Sequence, residues 1–244
     1  MTATRVIIGF HAVTGRLRAD PASLTEIMLD EKRDDARAQG MVVLAQERGV
    51  RLRRVAQQRL AGFASEGKHQ GVVALVKERA SRESLEDLLD RLAAPPLLLA
   101  LDGVTDPRNL GACLRVADAA GVNAVIVPRD RAAGINATVS KVASGAAETL
   151  PYYMVTNLAR TLDDLKERNI WVVGADARAP ADLHTADLPE AVAWVFGSEG
   201  GGMRRLTRER CDLQVRIPMM GQVQSLNVSV AAGICLFESV RRRH

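Results

Sequence analysis

The sequence predicts an α/β protein whose larger part is a mostly parallel sheet covered by helices on both faces, preceded by a smaller α/β domain. Three observations carry this. Beyond residue 95, continuous apolar segments alternate regularly with helical patterns, as expected of strands buried on both faces of a parallel sheet. The pair Pro95-Pro96 closes a charge-rich stretch, and two prolines cannot continue a helix, so a boundary falls there. The first 79 residues carry a net charge of +5 and the remainder −1, so the two parts differ in character as well as in pattern.

In the first part, Val6 to Val13 reads as a short strand passing into a turn or helix, Leu24 to Leu29 alternates as a strand does, and Asp34 to Arg48 reads as a charged helix. Val72 to Val76 is a compact β-branched run suited to the last strand of that unit. The domain is assigned to residues 1–76. Residues 77–95, with a helical pattern around Leu85, Leu88, Leu89 and Leu92, are read as a linker, and 96–244 as the second domain. There the strands are Leu97 to Leu101, Ala124 to Val127, Tyr152 to Val155, Ile170 to Gly174, Val192 to Phe196 and Leu213 to Ile217. Helices are expected over Arg108 to Ala120, Asn136 to Ala147, Leu158 to Arg168 and Asn227 to Arg241.

Composition narrows the function. With 47% hydrophobic and 25% charged residues among 244, neither disorder nor a fibrous class is indicated. Aromatics at 3% argue against single-strand binding through many stacking platforms. No apolar run approaches the roughly 18 residues needed to span a bilayer, and Met1 to Gly9 lacks a signal-peptide core, so a cytoplasmic protein without a membrane partner is expected. Cys113, Cys211 and Cys235 are odd in number and far apart, which suggests inert thiols rather than a disulfide framework or a metal site. The basic N-terminal third suits a polyanion, although +5 is also compatible with a plain solvated surface.

In an open α/β sheet the site lies beyond the carboxyl ends of the strands, and three loops there are unusual. After Leu97 to Leu101 comes Asp102, then Asp106-Pro107-Arg108-Asn109-Leu110-Gly111, then Arg115. Asp106-Pro107 fits an N-cap followed by proline in the first helical position. Arg115 has the small residues Gly111 and Ala119 at i−4 and i+4, which would leave a cleft beside its guanidinium, while Asp118 offers an ordinary surface ion pair instead. After Val192 to Phe196 comes Gly197-Ser198-Glu199-Gly200-Gly201-Gly202. Its glycines permit close backbone approach to a ligand, but the phosphate-loop and dinucleotide fingerprints are missing. The third loop, Pro218 to Asn227, holds Gln222, Gln224, Ser225 and Asn227. A cap on the last helix explains Ser225 or Asn227, not the whole polar run.

Together, in this order and over about 130 residues, these three loops resemble the motifs of the SpoU/TrmH branch of the SPOUT methyltransferases. Residues 8–13 and 68–74 resemble the ribosomal-protein-like RNA-binding domain of bacterial 23S rRNA guanosine 2′-O-methyltransferases, with Phe10 where a shorter hydrophobe is usual. The resemblance covers nearly the whole chain. It implies a SPOUT fold with a C-terminal trefoil knot, a homodimer with sites formed across the interface, and methylation of a guanosine ribose in 23S rRNA, in the peptidyl-transferase P loop. The cofactor implied is S-adenosyl-L-methionine, held at Gly197, Ile217 and Leu226. Catalysis and substrate positioning are implied for Asn109, Arg115, Glu199, Ser225 and Asn227. Arg51, Arg53, Arg54, Lys68 and His69 are the candidate phosphate contacts of the first domain, with 23S rRNA or the assembling large subunit as partner and no metal.

The reaction is an in-line displacement on an activated methyl group, so the protein must align a ribose hydroxyl and remove its proton. The family proposal gives the proton to Arg115, but a guanidinium stays charged in proteins. The reading preferred here is that Arg115 holds the neighbouring phosphate and steadies the developing alkoxide, with Glu199 as a rival base. A tRNA ribose methyltransferase, a catalytically silent ribosome-assembly factor and an ordinary nucleotide-dependent enzyme remain the alternatives.

Overall fold

A computed structural model describes residues 4–63, 69–77 and 83–244, which divide into two compact units. The first comprises residues 1–82 together with 135–149, and the second 83–134 together with 150–244.

The first unit contains β1 (Thr4–Ile8), α1 (Phe10–Ala19), a 3-10 turn at Pro21–Ser23, β2 (Leu24–Asp30), α2 (Ala36–Glu47), β3 (Leu52–Val55), α3 (Gln57–Ala61) and β4 (Val72–Lys77). The sheet order is β1-β4-β2-β3, with β4 antiparallel to both neighbours and β3 a parallel edge strand beside β2. The run at 72–76 is therefore an interior strand of the sheet although it comes last in the chain. Ile7, Val13, Leu17, Ile27, Leu29, Met41, Val72, Ala74 and Val76 make the core between sheet and helices. Strand β3 escaped the sequence reading because Arg53 and Arg54 break its apolar pattern, and an edge strand tolerates charge.

Two more helices of this unit come from the middle of the chain. Residues 136–147, expected as one helix of the second domain, form α6 (Ala137–Ala143) and α7 (Ala146–Thr149). The break has a local cause: Ser144 has φ 53° and Gly145 φ 101°. A Cβ at Gly145 would lie 2.8 Å from the His11 carbonyl oxygen, so only glycine lets α1 approach this closely. Glu148 of α7 is buried and pairs with Arg5 at 2.6 Å and with Arg16 at 3.9 Å.

The second unit begins with α4 (Leu85–Asp90), started by a capping box between Ser84 and Asp87. Leu85 and Leu88 of α4 pack into the unit's core, so this part of the stretch 77–95 has a buried face. Then come β5 (Leu97–Asp102), α5 (Pro107–Ala119), β6 (Ala124–Pro128), β7 (Tyr152–Val155), α8 (Leu158–Glu167), β8 (Trp171–Ala175), β9 (Ala181–Asp182), β10 (Val192–Gly197), α9 (Arg205–Glu209), β11 (Leu213–Arg216) and α10 (Val228–Arg243). All pairings are parallel, in the order β7-β6-β5-β10-β8-β11-β9. Every residue of β5 and β6 is buried, as a sheet covered on both faces requires.

The chain leaves β5 for β6 and β7, returns to β8 on the other side, and later fills the gap between β5 and β8 with β10. The reversal of strand order brings the carboxyl ends of β5, β10, β8 and β11 to one edge. Helix α10 is fixed behind them. Trp194 of β10, fully buried, donates its Nε1 hydrogen to Ser239 Oγ at 2.8 Å. A Cβ at Gly233 would meet Val116 Cγ2 at 3.1 Å, which shows how closely α10 lies on α5. At its far end, Glu238 binds Arg241 and Arg242 at 2.7 and 2.8 Å. These hydrogen bonds hold its carboxyl down at about 2. Among the described residues no helix is long and apolar enough to cross a membrane.

Candidate active site

The three loops singled out in the sequence follow β5, β10 and β11. The first is anchored at Asp102, an acid 1% exposed at the end of an apolar strand. A buried carboxylate needs partners, and Asp102 accepts from Arg204 N at 2.8 Å and Arg204 Nε at 2.6 Å. Arg204 follows the second loop, so this pair ties the first loop to the second. An acid closing an otherwise apolar strand is the sequence signal for this pair. Asp106 caps α5, accepting from Arg108 N at 2.8 Å, with Pro107 in the first turn.

The second loop folds back on itself. Ser198 N donates to Gly202 O at 3.1 Å and Gly202 N to Ser198 O at 2.9 Å, closing a turn in which Gly200 and Gly202 have φ of 77° and 66°. Gly197 sits under this turn with no room for a side chain: a Cβ there would lie 1.9 Å from Gly202 C and 2.0 Å from Met203 N. The backbone beside the cavity is therefore bare of side chain.

The third loop ends at Asn227, the N-cap of α10. Its Oδ1 accepts from Ser229 N at 2.9 Å and Ser229 Oγ at 2.6 Å. That use of the oxygen settles which way the carboxamide faces. Its Nδ2 then donates to Asn109 Oδ1 at 2.9 Å and to Glu199 Oε1 at 2.7 Å. This one side chain of the third loop thus joins a residue from each of the other two.

Beside this junction lies a cavity of about 830 Å³ lined by Gly197, Glu199, Ile217, Ser225, Leu226 and Asn227, with the apolar Phe196 and Val215 also lining it. The volume falls within the range of roughly 300–1,000 Å³ usual for small-molecule sites. Apolar lining with bare backbone at Gly197 suits a flat heterocycle, and Glu199 at the junction suits a cationic group. S-adenosylmethionine offers both: an adenine and a sulfonium. Asp176, after β8, also lines the cavity; the sequence reading had not singled it out. It is held ionised chiefly by hydrogen bonds from Arg178, whose Nε and Nη2 each lie 3.1 Å away.

Arg115 is exposed on α5 and does not line the cavity. Burial disfavours the thiolate at all three cysteines. Burial pushes Cys113 up to about 12, with the Glu199 charge adding to it, pushes Cys211 to about 12, and raises Cys235 further. Among the described residues no group of three or more His, Cys, Asp or Glu is placed to hold a metal ion.

In the first unit, Arg51, Arg53 and Arg54 are exposed at the β3 edge. Glu26 lies 3.6 Å from Arg51 and 3.5 Å from Arg53, and Arg54 donates to Arg33 O at 3.0 Å. His69 is half-buried and its Nδ1 accepts from Gly71 N at 3.1 Å. Lys68 lies outside the described residues.

Residues 96–237 match the SpoU rRNA Methylase family, and residues 6–81 match the RNA 2′-O ribose methyltransferase substrate binding family. The chain belongs to the SpoU rRNA methylase family. It is 57% identical over 243 residues to the 23S rRNA (guanosine-2′-O-)-methyltransferase RlmB of Bordetella pertussis, with 100% of this chain and 99% of the relative covered. Identity to RlmB of Neisseria meningitidis is 53%, covering 100% and 97%. Among solved structures, an RNA 2′-O ribose methyltransferase at 30% identity superposes with a TM-score of 0.79 over 98% of this chain and 89% of its own. The SpoU methyltransferase AviRb of Streptomyces viridochromogenes, solved in complex with AdoMet, shares the fold at 24% identity, TM-score 0.80, covering 98% and 90%. The two family matches thus cover residues of both units.

Proposed function

We propose that this chain methylates the ribose 2′-hydroxyl of a guanosine in 23S rRNA, in the peptidyl-transferase P loop, using S-adenosylmethionine bound in the cavity beside Asn109, Glu199 and Asn227. The observation that carries this reading is the junction at Asn227, where side chains from all three loops meet at the rim of a cavity of fitting size. Gly197, Ile217 and Leu226 hold the cofactor through main-chain atoms and apolar contact, which supplies a methyl group on positive sulfur. Asn227 fixes Glu199 through Oε1, and Glu199 then receives the hydroxyl proton on Oε2. Ser225 positions the ribose. The site works in the cytoplasm, on rRNA or on the assembling subunit, with Arg51, Arg53, Arg54, Lys68 and His69, all within residues 1–76, gripping phosphates.

The homodimer belongs to this proposal. Met220 is 97% exposed and Val223 64%, beside the cavity loop, and Val230 and Phe237 stand exposed on α10. Exposed apolar side chains on this loop and helix suit a second copy of the chain. Arg115 would then act in the partner's site, holding the phosphate next to the target ribose. The trefoil knot implied by the resemblance is proposed for the same region, where β10 enters between β5 and β8.

Transfer of labelled methyl to unmodified 23S rRNA and to tRNA, with mapping of the product, tests the reading. A single 2′-O-methylguanosine in 23S rRNA is expected; product in tRNA alone would contradict it. Arg115→Ala should lose turnover by a factor of about 10² or more while S-adenosylmethionine affinity stays near normal. Mixing Arg115→Ala chains with Asn227→Asp chains should restore turnover, since a mixed dimer keeps one site with both native residues. No rescue would place Arg115 outside the partner's site.

A further inference from the structure

We propose that Arg108, Arg129 and Arg131 form a phosphate-binding surface on the second unit, for the RNA strand flanking the target nucleotide. Arg108 lies in the first turn of α5, next to Asn109, and Arg129 and Arg131 lie in the loop following β6. Strands β5 and β6 are parallel neighbours, with Ala100 opposite Ile126, so the two loops leave the same edge of the sheet side by side.

The loop after β6 is held in place at several points. Ala133 N donates to Val104 O at 3.0 Å, inside the first site loop. Tyr152 donates its hydroxyl hydrogen to Ala133 O at 3.0 Å. Asp130 pairs with Arg204 at 3.1 Å, the same arginine that binds Asp102. Arg131 is kept at φ 54°, a left-handed conformation unfavourable for a residue with a side chain and sustained only where the surroundings fix it.

A loop so fixed would be expected to spend all its charges internally, yet only Asp130 is paired. Arg129 and Arg131 are exposed, as is Arg108, and none has a side-chain hydrogen bond or ion pair among the described residues. The acids nearby are engaged elsewhere: Asp102 and Asp130 by Arg204, and Asp106 in capping α5. Ordered backbone that presents free guanidinium groups suits an external anion with several evenly spaced charges, and a phosphodiester backbone meets that description. The surface adds a contact line beside the site to the grip of the N-terminal unit. It rests on the reading that the target ribose sits at Asn109, Glu199 and Asn227.

The test uses the full chain and an unmodified 23S rRNA transcript, with affinity measured between 50 and 200 mM salt. In the double variant Arg129→Gln, Arg131→Gln, two lost phosphate contacts should make the slope of log affinity against log salt shallower by about 1.4 for single-stranded contacts. The RNA KM should rise several-fold while kcat at saturating RNA and S-adenosylmethionine affinity hold. Arg129→Lys with Arg131→Lys should keep the native slope. An unchanged slope in the glutamine variant overturns the surface, as does equal impairment of both variants, which would mean loop shape rather than charge. If the native chain shows the arginine-dependent slope but transfers no methyl group, the surface stands and the proposed reaction falls.

Discussion

Replacing Gly197 by alanine is expected to abolish S-adenosylmethionine uptake and all methyl transfer with it. The methyl group would enter space already filled by the Gly202 carbonyl carbon and the Met203 nitrogen, at 1.9 and 2.0 Å. These are backbone atoms closed into a turn by two hydrogen bonds, so no rotamer change relieves the clash. The turn must open, and it carries Glu199. The stability cost should be at least about 3 kcal/mol, the upper end of what overpacking usually costs. Gly200→Ala makes the contrast. Nothing lies within 4 Å of its added Cβ, and the only burden is a φ of 77°, costing about 1 kcal/mol. Urea unfolding and titration calorimetry on both variants check this; uptake of cofactor by Gly197→Ala at native affinity would remove Gly197 from the site.

Asn227→Asp is expected to lower kcat by about 10²-fold or more while leaving α10 capped, because aspartate caps a helix as well as asparagine does. The Oδ1 that accepts from Ser229 is retained. What changes is the group facing Asn109 Oδ1 and Glu199 Oε1 at 2.9 and 2.7 Å. A donor becomes an acceptor, two carboxylates oppose each other, and the junction is pushed apart. Asn227→Ala should lose the cap as well, adding about 1 kcal/mol of instability. Kinetics and unfolding measured on the pair therefore separate alignment from helix initiation. Native kcat in Asn227→Asp would show that the junction plays no part in turnover.

The sequence was informative wherever one physical requirement dominated. Strands buried on both faces must be apolar throughout, so β5, β6 and β10 stood out, and Asp106-Pro107 announced the start of α5. The polar run before α10 was recognisable as more than a cap, and Asn227 proves to cap and to bridge at once. Features decided by distant partners stayed hidden. The break at Ser144 and Gly145 depends on the close passage of α1, more than a hundred residues earlier. Strand β3 reads as a charged stretch because its place at the edge lets Arg53 and Arg54 face outward. Asp102 reads as the first residue of a loop, and only the structure shows it closing β5 and paired with Arg204. Arg115 looked like a site residue on its motif, yet its place in the single chain is an exposed helix surface.

The central claim is that the cavity beside the Asn109, Glu199 and Asn227 junction is where the cofactor meets the RNA sugar. A crystal structure grown with saturating S-adenosylhomocysteine tests it most directly. The ligand is expected in that cavity, its adenine against Gly197, Ile217 and Leu226 and its sulfur turned toward the junction. Ligand density elsewhere in the chain, or an empty cavity at saturating ligand, would contradict it.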